Sequence, residues 1–353
     1  MRESLLNYLV DPISQKPLRL KVGRKDSDGN ILEGALLSPD GTFYPIKSGI
    51  PRFVLTQDIN QKQTEQSFGF KWHQQDSYDS PNVHETIRAW LLERYGFEDI
   101  GQCYDFFNHQ KQVLDAGCGS GFSTSIWLTQ IAPSDRQSEW FGMDISSAVD
   151  VAQEKLGNIP KTHFVQADIL QPPFAPEAFD AIFSEGVLHH TPSTEHALKG
   201  LIPLLKPGGQ ILFYVYRKKS PVREFTDDHI RNLLSSLPPE DAWERLKPLT
   251  KLGQALADLK AEVEVEEDIP YLGILAGRYD LQRLIYWHFA KLFWNDTFSF
   301  EQNHHINFDW YHPSYAHRHT EAEIRNWCHE ANLSIIHFNT QESGFTVRAI
   351  KKG

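Results

Sequence analysis

The sequence predicts an α/β protein built on a doubly wound, seven-stranded, mostly parallel sheet, with a small β-rich unit before it and a helical insertion after its fifth strand. Three observations lead there. Between residues 111 and 216, short apolar runs alternate with amphipathic stretches, the pattern of βαβ units whose parallel strands are covered on both faces. The first apolar run ends in the glycine cluster VLDAGCGSGF, a strand–turn–helix junction. Strand-like runs then return only near residue 333, beyond a helical interval.

Residues 1–55 carry short apolar stretches broken by Asp28-Gly29, Asp40-Gly41 and Ser48-Gly49 turns, so a few short strands are expected. Residues 56–110 read as a polar linker followed by helix, with Ile87, Trp90, Leu91 and Tyr95 on one face. The core, 111–216, begins with KQVLDAGCG as strand and turn, SGFSTSIWLTQIA as helix and EWFGMDIS as the second strand. SAVDVAQEKLG is the next helix, THFVQADI and FDAIFSEGVL the third and fourth strands, STEHALKGLIPLL a helix and GGQILFYVY the fifth strand. This order is Rossmann-like.

The alternation stops at Arg217. Residues 217–310 hold helical stretches such as YDLQRLIYWHFAKLFW and an acidic run, EVEVEED, read as a solvated face. An insertion at that point lies beside the carboxyl ends of the strands, where open α/β sheets bind ligands, so it is expected to form a lid over a substrate. Residues 311–353 return to the core: Thr320 and Glu323 spell a capping box, Ile324, Trp327, Cys328 and Ala331 form a helical stripe, and LSIIHFNTQ and GFTVRAIKK close the sheet.

Composition narrows the function. With 46 acidic against 35 basic residues and a formal charge of −11, the chain is a poor partner for a long nucleic acid, which needs several phosphates neutralised. The three cysteines, Cys103, Cys118 and Cys328, form neither a disulfide framework nor a CxxC metal pair, so a reducing, cytoplasmic setting is expected. No apolar run is long enough for a membrane span. Oligomeric state is not legible.

The glycine cluster carries the chemistry. A dinucleotide fingerprint needs G-x-G-x-x-G, and Phe122 stands where its third glycine would be. The pattern is instead D-x-G-x-G-x-G, with Asp115, Gly117, Gly119 and Gly121. S-adenosylmethionine has no pyrophosphate; it brings an ammonium, a carboxylate, a sulfonium and a ribose diol, for which nearby carboxylates are favourable partners. Asp144 ends the second strand, within reach of both ribose hydroxyls, and Asp168 ends the third, within reach of an adenine amino group. Trp72 and Phe70 are candidates to cover a sulfonium by cation–π attraction, or to pack.

Residues 111–216 resemble the core of class I methyltransferases, the superfamily that includes the ubiquinone and menaquinone C-methyltransferases. The resemblance implies S-adenosylmethionine as cofactor, bound by Asp115, Gly117, Cys118, Gly119 and Gly121 in the first motif, Asp144 and Ile145 at the ribose, and Asp168 and Ile169 at the adenine. It places Ser184, Glu185 and Gly186 beside the methyl group, followed by the short motif VLHHTPS. SFGFKWHQQ upstream and DWYHPSYAHRHTEAEI downstream resemble segments of a bacterial subset of the same enzymes. Residues 1–55, through LLNYLVDPISQKPLRL and EGALLSPDGTFYPIKSGIPRFV, resemble a small zinc-ribbon-like domain that activates RNA and protein methyltransferases. Asp11, Ser14, Ser38 and Asp40 stand near the positions of its two cysteine pairs, which implies a degenerate, metal-free domain. Either it packs on the core or it offers a platform to a partner.

The expected reaction is methyl transfer to a small-molecule acceptor, the nucleophile being O, N or C. The alternatives are an RNA or protein methyltransferase and a non-methylating S-adenosylmethionine-binding protein. Methyl transfer is an in-line displacement that mainly requires alignment and exclusion of water, with a general base only where the nucleophile must lose a proton. His190, His189 and Glu185 are the catalytic candidates. His190 either caps the turn before Pro192 or works on the acceptor. His304, His305, His312, His317 and His319 crowd one segment near Asp309, open to a substrate-pocket role, to metal binding or to packing, although none of the usual metalloenzyme spacings occurs and no metal is expected.

Overall fold

The structure is a computed structural model that describes residues 1–54, 58–73, 81–128 and 135–353. The chain opens with a four-stranded antiparallel sheet, β1 (Arg19–Lys25), β2 (Ile31–Leu37), β3 (Phe43–Lys47) and β4 (Ile50–Pro51), paired in sequence order. Position 55 of the expected N-terminal unit and positions 56–57 and 74–80 of the expected linker lie outside the described residues. The rest of that stretch forms α1 (Ile59–His73), α2 (Pro81–Tyr95) and α3 (Ile100–His109).

The core follows as β5 (Gln112–Ala116), α4 (Phe122–Leu128), β6 (Glu139–Asp144), α5 (Ala148–Leu156), β7 (Thr162–Gln166), β8 (Phe179–Glu185), α6 (Thr194–Leu201) and β9 (Leu205–Tyr216). The helix expected over 120–132 is α4, and 129–132 lie outside the described residues. Pro203 shortens the helix expected through Leu205, because its ring cannot continue α6 and the chain tightens into a 3-10 turn, Ile202–Leu204.

The insertion is α7 (Pro221–Leu234), α8 (Pro239–Asp258), β10 (Glu262–Val265), β11 (Gly277–Asp280), α9 (Leu281–His288) and α10 (Phe300–Tyr311). Besides the expected helices it carries the β10–β11 hairpin: EVEV alternates charge and valine with period two, so Glu262 and Glu264 face water along a strand. α10 also runs across the expected 310/311 boundary. The chain ends in α11 (Glu321–Glu330), β12 (Leu333–Thr340) and β13 (Gly344–Lys351), with the Thr320–Glu323 capping box formed.

The large sheet has the order β12-β13-β9-β8-β5-β6-β7, parallel from β9 to β7, with β13 antiparallel to both neighbours. Alternation along the strands sorts the core. Leu114, Ile182, Ile211 and Phe213 join one cluster with α6 and the N-terminal Leu5, Tyr44 and Phe53. Val113, Ala181, Phe183 and Leu212 join another with Leu91, Tyr95, Phe107 and Trp127. Tyr214 and Tyr216 continue the Leu212 face at the end of β9 and pack in the cluster that holds Trp310 and Tyr311 of α10, which ties the insertion to the sheet.

The N-terminal sheet docks on the β7 edge, where Phe53 N donates to Gln166 O at 2.7 Å and Arg52 Nη1 donates to Asp150 Oδ2 at 3.0 Å. Asp11 is 1% exposed and accepts from Ser14 N at 2.6 Å, Ile13 N at 3.1 Å and the Tyr44 hydroxyl at 2.8 Å. Ser38 donates to Asp40. These side chains lock turns, as Asx-type bonds do.

Candidate active site

β6 and β8 flank β5 on opposite sides, so the strand order reverses at β5 and leaves a crevice outside the carboxyl ends. A cavity of about 590 Å³ opens there, bounded below by the strand ends and above by α1, α2 and the insertion. The glycine turn forms one wall. Gly117 and Gly119 take left-handed φ values of +88° and +52°, and a Cβ on Gly119 would come within 2.8 Å of Trp72 Nε1. A bare backbone at this point brings the chain close to the indole.

Asp144 anchors the turn. Gly119 N donates to its Oδ2 at 2.8 Å, and Ser146 donates to Oδ1 from its N at 2.8 Å and its hydroxyl at 2.6 Å. Asp168 accepts from Leu170 N at 2.9 Å and Gln61 Nε2 at 2.8 Å. Burial raises both carboxyls above the usual range, and Glu65 of α1, also raised by burial, feels both of them. The crevice therefore favours a cation.

Of the residues singled out from the sequence, Trp72, Gly117, Cys118, Gly119, Asp144, Ile145, Asp168, Ile169, Glu185, Gly186, His190 and Asp309 line the cavity, as do Ile87, Trp90 and Leu91 of α2. Asp115, Gly121, Ser184 and His189 stand behind it. Asp115 is 2% exposed, accepts from Thr124 Oγ1, and is pushed up to about 7 by burial, with Asp144 and Glu185 adding to the rise. Ser184 Oγ donates to Ala116 O at 2.8 Å, joining β8 to β5, and Gly121 packs on Ala152 and Leu156 of α5. His189 lies with its ring centroid 3.6 Å from that of Tyr216. Phe70 packs on Trp243 and Phe308, away from the cavity.

At the far end of the crevice, Glu185 is held by Arg94 Nη1 at 2.9 Å and the Tyr95 hydroxyl at 2.6 Å. Burial raises its carboxyl, and Arg94 offsets part of that rise. His190 Nδ1 stands 2.6 Å from Tyr315 O, a geometry in which Nδ1–H donates and Nε2 keeps its lone pair. Burial lowers His190 to about 4, so the ring is neutral near pH 7.

The clustered histidines do not converge: among the described residues no group of three His, Cys, Asp or Glu side chains could hold a metal ion. His304 bonds Thr250 Oγ1 and Trp243 O, His312 bonds Ser67 Oγ, and His319 bonds Thr194 Oγ1.

Sequence reading missed Gln61, Thr64 and Lys71 of α1, Arg94 of α2, and Tyr286, Trp287 and Lys291 of the insertion, all of which line the cavity. A signal existed in α1, whose buried positions Gln61, Thr64, Ser67 and Lys71 recur at helical spacing although all are polar. A helix that buries its polar stripe covers a ligand more readily than a core.

A doubly wound sheet with a glycine turn and buried carboxylates at its switch point has the layout of a nucleotide-cofactor site. Comparison narrows the class. Residues 114–213 match the methyltransferase domain family. The 2-phytyl-1,4-naphtoquinone methyltransferase of Thermosynechococcus vestitus is 30% identical over 154 residues, which span 36% of this chain and 67% of that protein. An uncharacterised protein of Synechococcus sp. is 38% identical over 182 residues, 50% of this chain and 38% of its own length. The malonyl-[acyl-carrier protein] O-methyltransferase of Legionella pneumophila is 29% identical over 148 residues, 42% of this chain and 48% of its own length. The chain thus spans about half or less of the latter two relatives. It belongs to the class I S-adenosylmethionine-dependent methyltransferases, and S-adenosylmethionine is the cofactor of its domain. The residues present fit that group: the raised carboxyls suit a ligand carrying a sulfonium and an ammonium, and Gly119 keeps the turn free of side-chain bulk.

Proposed function

We propose that the protein methylates a small-molecule acceptor enclosed between the strand ends and the insertion. The observation that carries this reading is that one cavity joins Gly119, Asp144 and Asp168 to Glu185 and His190, and these to Trp287 and Lys291 of the insertion. Cofactor and acceptor would share a single enclosed space, as a direct transfer requires. When bound, S-adenosylmethionine supplies an electrophilic methyl group on sulfur. Asp144 would hold the ribose hydroxyls, Asp168 the adenine amino group, and Gly117, Cys118 and Gly119 the methionine portion. Trp72 and the helices α1 and α2 would exclude water.

His190 is assigned to positioning. A neutral ring with Nδ1–H committed to Tyr315 O offers Nε2 as a hydrogen-bond acceptor, while a value near 4 makes it a weak base at neutral pH. Glu185, fixed by Arg94 and Tyr95, would orient the acceptor from the other side. The N-terminal unit is read as a zinc-ribbon-like domain whose metal-ligand positions have become the turn-locking set Asp11, Ser14, Ser38 and Asp40. The test is a transfer screen with tritiated S-adenosylmethionine against cell extract separated into small-molecule, RNA and protein fractions. Label is expected in the small-molecule fraction, and label confined to RNA or protein would overturn the assignment.

A further inference from the structure

Lys291 follows α9, is 7% exposed and borders the acceptor end of the cavity. Its main chain is pinned, since Lys291 N donates to Asp227 Oδ1 at 3.1 Å. Asp227 has no capacity left for the ammonium: it also accepts from Arg223 Nε at 2.6 Å, Trp310 Nε1 at 2.9 Å and the Tyr311 hydroxyl at 2.8 Å. The other carboxylate that acts on Lys291, the half-buried Asp309, is bound through Oδ1 by Lys71 Nζ at 3.0 Å. Arg223 is thus matched to Asp227 and Lys71 to Asp309, while Lys291 Nζ makes no ion pair or side-chain hydrogen bond among the described residues. It stands 4.5 Å from the centroid of the Trp310 ring.

A buried ammonium without a direct ion-pair partner is unfavourable, and burial lowers Lys291 to about 7, with Asp309 and Asp227 offsetting only part of the fall. A fold that keeps such a cation on the wall of a ligand cavity presents it to whatever enters. The same cavity is walled by Tyr214, Tyr216, Tyr286 and Trp287, faces suited to an aromatic ring. We propose that Lys291 pairs with an anionic oxygen group, a carboxylate or a phosphate monoester, on an aromatic methyl acceptor. The inference rests on the methyl-transfer reading above and names its substrate class.

The test is calorimetric titration of the full chain with 2-naphthoate, 2-naphthyl phosphate and the neutral 2-naphthamide. At least one anion is expected to bind about tenfold or more tightly than the amide, the worth of a charge-assisted contact in a desolvated site. Which anion does so identifies the group. In Lys291→Met, which keeps the length of the stem and removes the charge, that advantage is expected to vanish while amide affinity is kept. Equal affinity for all three probes in the parent, or an advantage retained in the variant, would overturn the assignment. So would a ligand-free Lys291→Met protein that melts below the parent or fails to fold, because the ammonium would then be structural. S-adenosylhomocysteine titrated into the same samples separates the two claims. Its binding without any anion preference overturns the acceptor assignment alone, whereas an anion preference without its binding overturns methyl transfer.

Discussion

Asp115 carries a burden that asparagine would relieve. Its carboxyl lies at the end of β5 with 2% exposure, and burial together with Asp144 and Glu185 moves it from the ordinary 3.8 to about 7. Below pH 3.8 the folded and unfolded chains both hold the proton and nothing is lost. Between 3.8 and about 7 the folded chain binds one more proton than the unfolded chain, so unfolding free energy falls by about 1.4 kcal/mol for each pH unit. Above 7 both forms are ionised and the full penalty stands, about 4 kcal/mol at most and about 2–4 kcal/mol once local relaxation is allowed. Asparagine has no charge, and its carbonyl still accepts from Thr124 Oγ1. Asp115→Asn should therefore be more stable than the parent by about 2–4 kcal/mol at pH 8, with the advantage shrinking to about 1–2 kcal/mol at pH 5. Urea unfolding of both proteins from pH 5 to 8 measures the difference, in which titrating groups that do not interact with Asp115 cancel. An advantage that does not change with pH, or none at pH 8, would refute the burial argument.

Three further outcomes are expected. Asp144→Ala should weaken S-adenosylhomocysteine binding about tenfold or more by calorimetry, because a charge-assisted contact to the ribose diol is lost; unchanged affinity would remove Asp144 from the ribose site. His190→Ala should lower turnover of an acceptor from the transfer screen by about 10²-fold with cofactor affinity kept within a few-fold. His190 should then add no inflection to the parent's turnover between pH 6 and 8, since a ring lowered to about 4 is neutral throughout, and an inflection in that window that disappears in the variant would contradict the neutral ring. Tyr44→Phe removes one donor from the buried Asp11 and should cost about 1–3 kcal/mol in chemical denaturation.

The parts of the fold legible in the sequence are those where local pattern and burial agree. β5 to β9 are apolar runs because both faces are covered, and the glycine turn has a spacing that backbone geometry demands. EVEVEED was legible as a solvated face, and its period-two alternation, which places a valine between glutamates along β10, is what makes that face a strand. Carboxylates that line the cavity and carboxylates that stand behind it look alike in sequence: Asp144 and Asp115 both end strands, and only the Thr124 contact shows Asp115 turned inward. Lys291 and Arg94 left no trace, since each gains its place from a helix or loop packed across the crevice rather than from its neighbours in the chain. α1 was hidden for the opposite reason, its buried stripe being polar where periodicity arguments look for apolar residues.

The docking of the N-terminal sheet on β7 bears on how the molecule avoids its own copies. A parallel sheet that ended at β7 would present a row of unpaired amide and carbonyl groups, the template on which strands from other molecules assemble. Here Phe53 N takes Gln166 O, the Arg52–Gln166 bridge extends the sheet by one step, and the Arg2 guanidinium donates to Thr162 O at 2.6 Å at the start of the same strand. The small sheet is thus a cover on a sticky margin as well as a neighbour of the core. A chain trimmed of it would bare both that margin and the core face on which Leu5, Tyr44 and Phe53 pack, and is expected to self-associate along β7, which light scattering of the trimmed chain would test.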